Sequence, residues 1–274
     1  MKFECSQNDL VKTLAQVTSV SERKTTMPIL GNVMMEVKDN QLIIGGTDLE
    51  ITIQTTCSVN ALQNGKICTP AQQFLEIVRR LPKTTAVISK DEQGWLNITS
   101  GKAQFRISAV DAAEFPKLPK VEEFTFNKIS SDLFKTGFEK VSFAMSTDEM
   151  RYNLNGVYVE VQNEEFQMVS TDGHRLAFYG KKLDHENAFL LEKSVILPRK
   201  GVSEIKRILT EQSEKTIDIS ITKSAACLKA PLIFIPDECL AENNSCIREV
   251  LNDLSDPKRE RLSKSVVFPV PFWP

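Results

Sequence analysis

The segment Thr171-Asp172-Gly173-His174-Arg175-Leu176 places a carboxylate, an imidazole and a guanidinium within four consecutive positions, 172 to 175. An acid beside a histidine can orient a general base, and an adjacent cation can stabilise developing negative charge. Catalysis by His174 also needs a nucleophile or a metal. The only other histidine, His185, sits in the polar run KKLDHENAF, which reads as a solvated loop. No G-x-S-x-G motif accompanies either histidine. The six cysteines (Cys5, Cys57, Cys68, Cys227, Cys239 and Cys246) form no C-x-x-C pair and have no histidine at zinc spacing. No metal site, no cofactor and no catalytic residue is therefore expected. The cysteines read as reduced, mostly buried thiols.

A structural origin for the segment emerges when the sequence is slid against itself. At an offset of 124, residues 30–48 fall on residues 154–172 with six identities in nineteen ungapped positions: Leu30, Val33, Glu36, Val37, Thr47 and Asp48 meet Leu154, Val157, Glu160, Val161, Thr171 and Asp172. Upstream at the same offset, Leu10, Leu14 and Val17 meet Phe134, Phe138 and Val141, which have the spacing of a helix with one buried face. Ser6 with Asp9 predicts a capping box, and Ser130 a second cap. At an offset of 128, residues 69–82 match residues 197–210, each with a proline expected at the first helical position. Between the helices the apolar period drops to two. Residues 32–55 read as strands about an Asp39–Asn40 turn, and residues 84–108 as three short strands. The fold class is α+β: tandem copies of helix plus antiparallel sheet, which would show helices on one face and sheets on the other if each copy turns its sheets outward. The first copy is expected over 1–124 and the second over 125–230, joined by the proline-containing run at 115–123.

The chain carries 34 Lys and Arg against 36 Asp and Glu, for a formal charge of −2. That balance argues against a small basic DNA reader, although cations gathered on one face escape it. Such cations recur on the polar faces of the four helices: Lys12; Arg79 and Arg80; Lys135 and Lys140; Arg199, Lys200, Lys206 and Arg207. No apolar run reaches the roughly 18 residues that span a bilayer. No basic start followed by an apolar stretch marks a secretory signal, so a cytoplasmic protein without membrane contact is expected.

The stretches MKF, MPILGNVMMEV, GTDLEI, EFPKLP, RYNLNGVYVEV, STDGHRLAF and LPRKGVSEI, in that order over residues 1 to about 230, resemble the sliding-clamp family, the β subunits of bacterial DNA polymerase III. The resemblance implies a non-enzymatic replication processivity factor. In the family three such domains per chain, in a homodimer, close a ring around duplex DNA and hold it without reading base sequence. Carried over by position, it implies DNA-facing roles for Lys12, Lys24, Arg79, Tyr152, Arg199, Lys200 and Arg207. Asn153 stands where the family often has a second aromatic. It also implies a pocket for short linear peptides of polymerase, clamp loader and repair proteins, built from Leu154, Thr171, Gly173, His174, Arg175 and Leu176.

The family pattern stops near residue 230. Residues 231–274 read as an unrelated tail, from a truncation or a frame change, with no room for a third domain; LIFIP can serve as a substitute strand, and a short helix is expected over 245–254. The first domain's edge strand, with Phe105 and Ile107 facing outward, would then be an orphaned dimer edge, and a monomer or an aggregating species is expected. Three readings stay open: a clamp, a clamp remnant that binds partner peptides at best and cannot close a ring, and an enzyme using His174.

Overall fold

The computed structural model describes residues 1–21, 27–119, 124–148, 150–151, 153–162, 165–183, 194–211, 215–221, 225–229, 232–236 and 266–269. Lys24, Tyr152, His185 and the helix expected over 245–254 lie outside the described residues. The chain divides into two compact units, Met1–Lys120 with Pro231–Ile233, and Val121–Ala230 with Phe234–Pro274.

In the first unit, β1 (Lys2–Ser6) runs directly into α1 (Gln7–Val17). A meander follows: β2 (Asn32–Lys38), β3 (Gln41–Thr47) and β4 (Thr52–Ser58). Asp39 and Asn40 turn it with φ of 51° and 61°, the paired positive values of a two-residue hairpin turn that matches strand twist. After β5 (Asn60–Gln63), β6 (Gly65–Pro70) leads into α2 (Ala71–Arg80). The unit closes with β7 (Thr85–Lys90), β8 (Trp95–Ser100) and β9 (Ala103–Ser108). One sheet has the order β5-β1-β7-β8-β9, and the other contains β4-β3-β2-β6. The two helices lie antiparallel, tied at both ends. Gln7 Nε2 donates to the Val78 carbonyl at 2.9 Å, and Gln72 Nε2 to the Thr18 carbonyl at 3.1 Å. Leu10, Leu14 and Val17 are fully buried, as are Phe74 and Val78.

The second unit repeats the order. β10 (Asn127–Ser130) enters α3 (Ser131–Val141); β11 (Gly156–Gln162), β12 (Glu165–Thr171) and β13 (Arg175–Lys182) form the meander. β14 (Val195–Pro198) leads into α4 (Arg199–Glu211), followed by β15 (Thr216–Ile221), β16 (Ala225–Lys229) and β17 (Leu232–Pro236). One sheet runs β10-β15-β16-β17; the other is β14-β11-β12-β13 with β18 (Val266–Pro269) added at the β13 edge. The segment LIFIP is thus a strand beside β16. No helix among the described residues is long and apolar enough to cross a membrane.

Four local expectations need correction. Ser6 and Ser130 are N-caps, but neither side chain makes a capping bond. Each is also the last residue of a strand, so a carbonyl across the turn takes the first helical N–H: Gln7 N–H donates to Thr84 O at 3.1 Å, and Ser131 N–H to Lys215 O at 3.0 Å. Pro70 and Pro198 each end a strand one residue before the helix rather than opening it. The run expected as a linker at 115–123 is not free over its first part: Phe115 is buried with Met34 and Cys68, and Leu118 packs against the same cluster. Finally, β9 is an edge strand, but Ile107 does not face outward. It pairs with Leu96 and is 2% exposed, whereas Phe105, opposite Ile98 on the same face, is 39% exposed. Side chains two apart share a face, and on this face the strand is covered at Ile107 but not at Phe105.

In the second unit Phe134 packs edge-on to Phe138 at 5.5 Å between ring centroids and against Phe166 at 5.3 Å. Phe134→Ala is expected to cost ~3–5 kcal/mol. Hydrogen exchange should show the loss of protection confined to the second unit. A loss below about 1 kcal/mol would show that this aromatic trio is not its core.

Candidate functional site

The segment that looked catalytic is a hairpin turn, and the first unit carries the same one. Thr171 Oγ1 donates to the Arg175 carbonyl at 2.7 Å and accepts from Gly173 N–H at 3.1 Å. Asp172 Oδ1 accepts from the N–H groups of His174 and Arg175, both at 3.0 Å. In the first unit Thr47 Oγ1 donates to the Ile51 carbonyl at 2.9 Å and accepts from Leu49 N–H at 3.1 Å. Asp48 Oδ1 accepts from Glu50 N–H at 3.0 Å and Ile51 N–H at 2.9 Å. The third turn residue is left-handed in both copies, Leu49 at φ 75° and Gly173 at φ 89°. Asp172 is therefore a turn-former. Arg175 Nε also donates to its second oxygen at 2.9 Å. Partial burial works to raise the Asp172 pKa, but the bonds from His174 and Arg175 outweigh it and hold the carboxyl below its ordinary value. His174 is exposed at the turn tip. Among the described residues no group of three or more His, Cys, Asp or Glu could hold a metal.

The turn brings some of the expected pocket residues together and separates others. The loop that carries Leu154 is wound by Leu154 N–H donating to Arg151 O at 2.8 Å and anchored by Ser146 N–H donating to Leu154 O at 3.0 Å. Arg151 links the two segments: its Nη1 lies 3.6 Å from where a side chain on Gly173 would begin. Arg175 and Leu176, both expected in the pocket, point to opposite faces because they are successive strand residues. The Arg175 guanidinium lies over the Phe143 ring, 5.6 Å from its centroid. Leu176 joins Tyr158, Val169 and Ile196 on the other face, with Phe178 against them, and is only 4% exposed. Sequence reasoning missed Phe143 and Arg151. Phe143, 46% exposed just after α3, breaks the rule that a large apolar side chain is covered, which is a signal only once helix ends are known.

The cations occupy the helix layer of each unit. Lys12, Arg79 and Arg80 are exposed on α1 and α2, and Lys140 and Lys200 on α3 and α4. Arg199, Lys206 and Arg207 bond to their own unit. Arg199 Nη1 donates to the carbonyls of Met145 at 3.3 Å and Ser146 at 3.1 Å, pinning the loop that precedes Leu154. Lys206 Nζ donates to Ser142 Oγ at 3.0 Å. Arg207 is paired with Glu204 at 2.8 Å, which offsets much of its charge.

Comparison with known proteins settles the family. The model of the DNA polymerase III beta subunit N-terminal domain matches residues 1–119, and that of the central domain matches residues 128–234. The crystal structure of the DNA polymerase III subunit beta from Pseudomonas aeruginosa is 30% identical with a TM-score of 0.82, covering 92% of this chain and 68% of that one. This chain belongs to the DNA polymerase III beta-subunit family. The beta sliding clamp of Haemophilus influenzae is 34% identical over 215 residues, 78% of this chain and 58% of the relative. A sliding clamp from Pseudomonas aeruginosa solved with bound griselimycin is 29% identical with a TM-score of 0.79, covering 89% of this chain and 66% of that one. The chain spans about three fifths of the length of such curated relatives. Within this beta-subunit family member, the DGHR segment is the second copy of a turn that the repeat itself generates.

The paired turns make two expectations testable. A leucine in the left-handed region costs roughly 1–2 kcal/mol, partly offset by the entropy of a glycine, so Leu49→Gly is expected to stabilise the first unit by about 1 kcal/mol in denaturant unfolding. Gly173→Leu should destabilise the second by a similar or larger amount. For Asp172 the folded-state pKa is depressed. Its contribution is therefore present above the unfolded value of about 3.9 and lost as pH falls through the folded value. The carboxyl carbon resonance of Asp172 should titrate below that value; a midpoint at or above it contradicts the hydrogen-bonded turn.

Proposed function

We propose that this chain acts as a replication processivity factor: a clamp that surrounds duplex DNA without reading its sequence and tethers a polymerase through a short linear peptide. The family membership carries the reading. It is supported by the exposed cations Lys12, Arg79, Lys140 and Lys200 on the helix layers of a chain whose formal charge is −2. A gathered set of cations attracts phosphates, while an acidic total keeps contact loose enough to slide. In this reading Lys24, Tyr152, Arg199 and Arg207 line the same DNA path. The peptide site is the junction of the Arg151–Asn155 loop with the Thr171–Arg175 turn. There Gly173 leaves the backbone open to a ligand, and Arg175 over Phe143 offers a flat cationic wall. A clamp of this kind needs no catalytic residue, and His174 takes the role of a turn-tip polar contact. Its partners would be duplex DNA, the polymerase, a clamp loader and repair proteins, within the cytoplasm.

A second reading, a chain that binds partner peptides without encircling DNA, is favoured by one observation. β18 pairs along β13 from Arg175 to Phe178, so the chain's own strand fills the edge that adjoins the candidate site.

Retention on DNA separates the two. After loading by a clamp loader, the clamp reading expects the chain to stay on nicked circular DNA and to leave linear DNA from its ends. Equal loss from both, with binding of a polymerase-tail peptide intact, supports the second reading. For the loose cationic approach to DNA, Lys12→Glu with Arg79→Glu should weaken binding uniformly across sequences. The slope of log affinity against log salt should shrink by about 0.9 for each phosphate that is no longer neutralised. An unchanged slope would remove those helices from the DNA path.

A further inference from the structure

The first unit holds a pair of thiols that neither the clamp reading nor the peptide site uses. Cys5 lies near the end of β1, on the same face as the fully buried Phe3. Cys57 lies near the end of β4, on the same face as Ile53 and Thr55. That face meets α1, because Thr55 Oγ1 donates to Gln16 Oε1 at 3.1 Å. The two strands belong to different sheets, yet the chain carries one to the other. Leaving β4, it enters β5, where Asn60 registers with Glu4, the neighbour of Cys5. Asn60 Nδ2 fastens this corner by donating to Glu4 Oε2 at 3.0 Å. Cys57 is therefore carried to the same corner as Cys5, close enough for each thiol to shift the pKa of the other. The Cys5 sulfur also lies 3.4 Å from the Ser6 carbonyl.

The two thiols have divided roles. The neighbouring Cys5 thiol, with help from Thr13 on α1, holds the Cys57 thiol below its ordinary value against burial. The proximity of Cys57, then burial, raises the Cys5 thiol above its ordinary value. Cys57 is half-buried and Cys5 is buried. A partly exposed thiolate beside a protonated, sheltered thiol is the arrangement in which one sulfur meets an oxidant and the other resolves it. Cys68 and Cys227 differ: both are buried, with thiols pushed up to about 12, led by burial.

We propose that Cys5 and Cys57 form a peroxide-responsive dithiol that closes to an intrachain disulfide across the β1–β4 corner. In the first step the Cys57 thiolate attacks one oxygen of a hydroperoxide. The O–O bond breaks, the leaving oxygen departs as alcohol or water after taking a proton, and Cys57 becomes a sulfenic acid. Cys5 then gives up its proton as its sulfur attacks the Cys57 sulfur. The S–S bond forms, the S–O bond breaks, and the hydroxyl leaves with that proton as water. Two thiols and one peroxide thus give one disulfide, one alcohol and one water; sulfur supplies the electron pair that reduces the peroxide. The bond requires the sulfurs to close to about 2.05 Å at this corner. Thiol exchange with a reductant reverses it. The closed form would tie the first strand of the unit to the last strand of its meander.

The test uses the full chain and hydrogen peroxide. After oxidation, alkylation of remaining thiols and digestion, mass spectrometry should find one peptide linking Cys5 to Cys57, lost on reduction, and the oxidised chain should melt at a higher temperature. Cys57→Ser should abolish the link. Cys5→Ser should leave Cys57 as a sulfenic acid that dimedone traps. Because Cys5→Ser disturbs a buried site, a second readout uses the unaltered chain: the rate of Cys57 alkylation should rise through a midpoint near pH 7. Cys57 over-oxidised or joined to another cysteine, with no Cys5 link, overturns the proposal. So does a Cys57 midpoint at the ordinary thiol value.

Discussion

The seating of a helix on its sheet governs both units, and it is tight enough to dictate residue size. In the first unit, β3 passes so close to the end of α1 that a side chain on Gly46 would begin 2.8 Å from Val17 Cγ1 and 3.2 Å from the Val17 carbonyl. Cβ atoms do not approach other atoms so closely without displacement. In the second unit Ser170 stands at the equivalent place and its hydroxyl donates to the carbonyl of Val141, the counterpart of Val17. The same crossing is met by removing a side chain in one copy and by a buried hydrogen bond to the helix end in the other. An analogous constraint acts one turn earlier on α3. There Gly137 leaves room for the sulfur of Met168, 2.6 Å from where a Cβ would sit. These close approaches fix how each helix lies, and hence where its cations are presented.

The meander is fixed at its far end by the Thr–Asp turn. Two side-chain oxygens satisfy four backbone groups within five residues, so the turn holds without help from neighbours. The second copy could therefore change the remaining positions. Glycine replaced the strained leucine type at the third place, and Arg175 gained a carboxylate partner and a ring to lie on. Acid, base and guanidinium lie in sequence order because the turn requires only the acid and leaves the next positions open to substitution. Proximity along the chain mimics an active site, but here the acid is already committed to backbone N–H groups.

Charge on the helix layers illustrates how local context alters a residue's part. Lys12 and Arg79 meet solvent, whereas Arg199 spends its guanidinium on two loop carbonyls and Arg207 on Glu204. A paired surface cation still contributes to a long-range field, but less than an unpaired one, and salt weakens both. Pinning by Arg199 gives the Leu154 loop its position, so one side chain on the helix layer bears on the opposite end of the candidate peptide site.

The repeat, the helix faces, the Asp39–Asn40 turn and the equivalence of Thr47-Asp48 with Thr171-Asp172 are all legible along the chain. Each of these is a local pattern: apolar period, turn chemistry, or identity at a fixed offset. Tertiary structure decided what depends on partners distant in sequence. The caps expected of Ser6 and Ser130 gave way to the carbonyls of Thr84 and Lys215, which periodicity along one segment cannot reveal. Ile107 is covered and Phe105 is not, although both share a face, because covering depends on the layer above the strand rather than on the strand. The cysteines show the same division. Their spacing excluded a zinc motif, but only the corner between β4 and β5 brings Cys57 to Cys5, since a fold sets two residues side by side without regard to the length of chain between them.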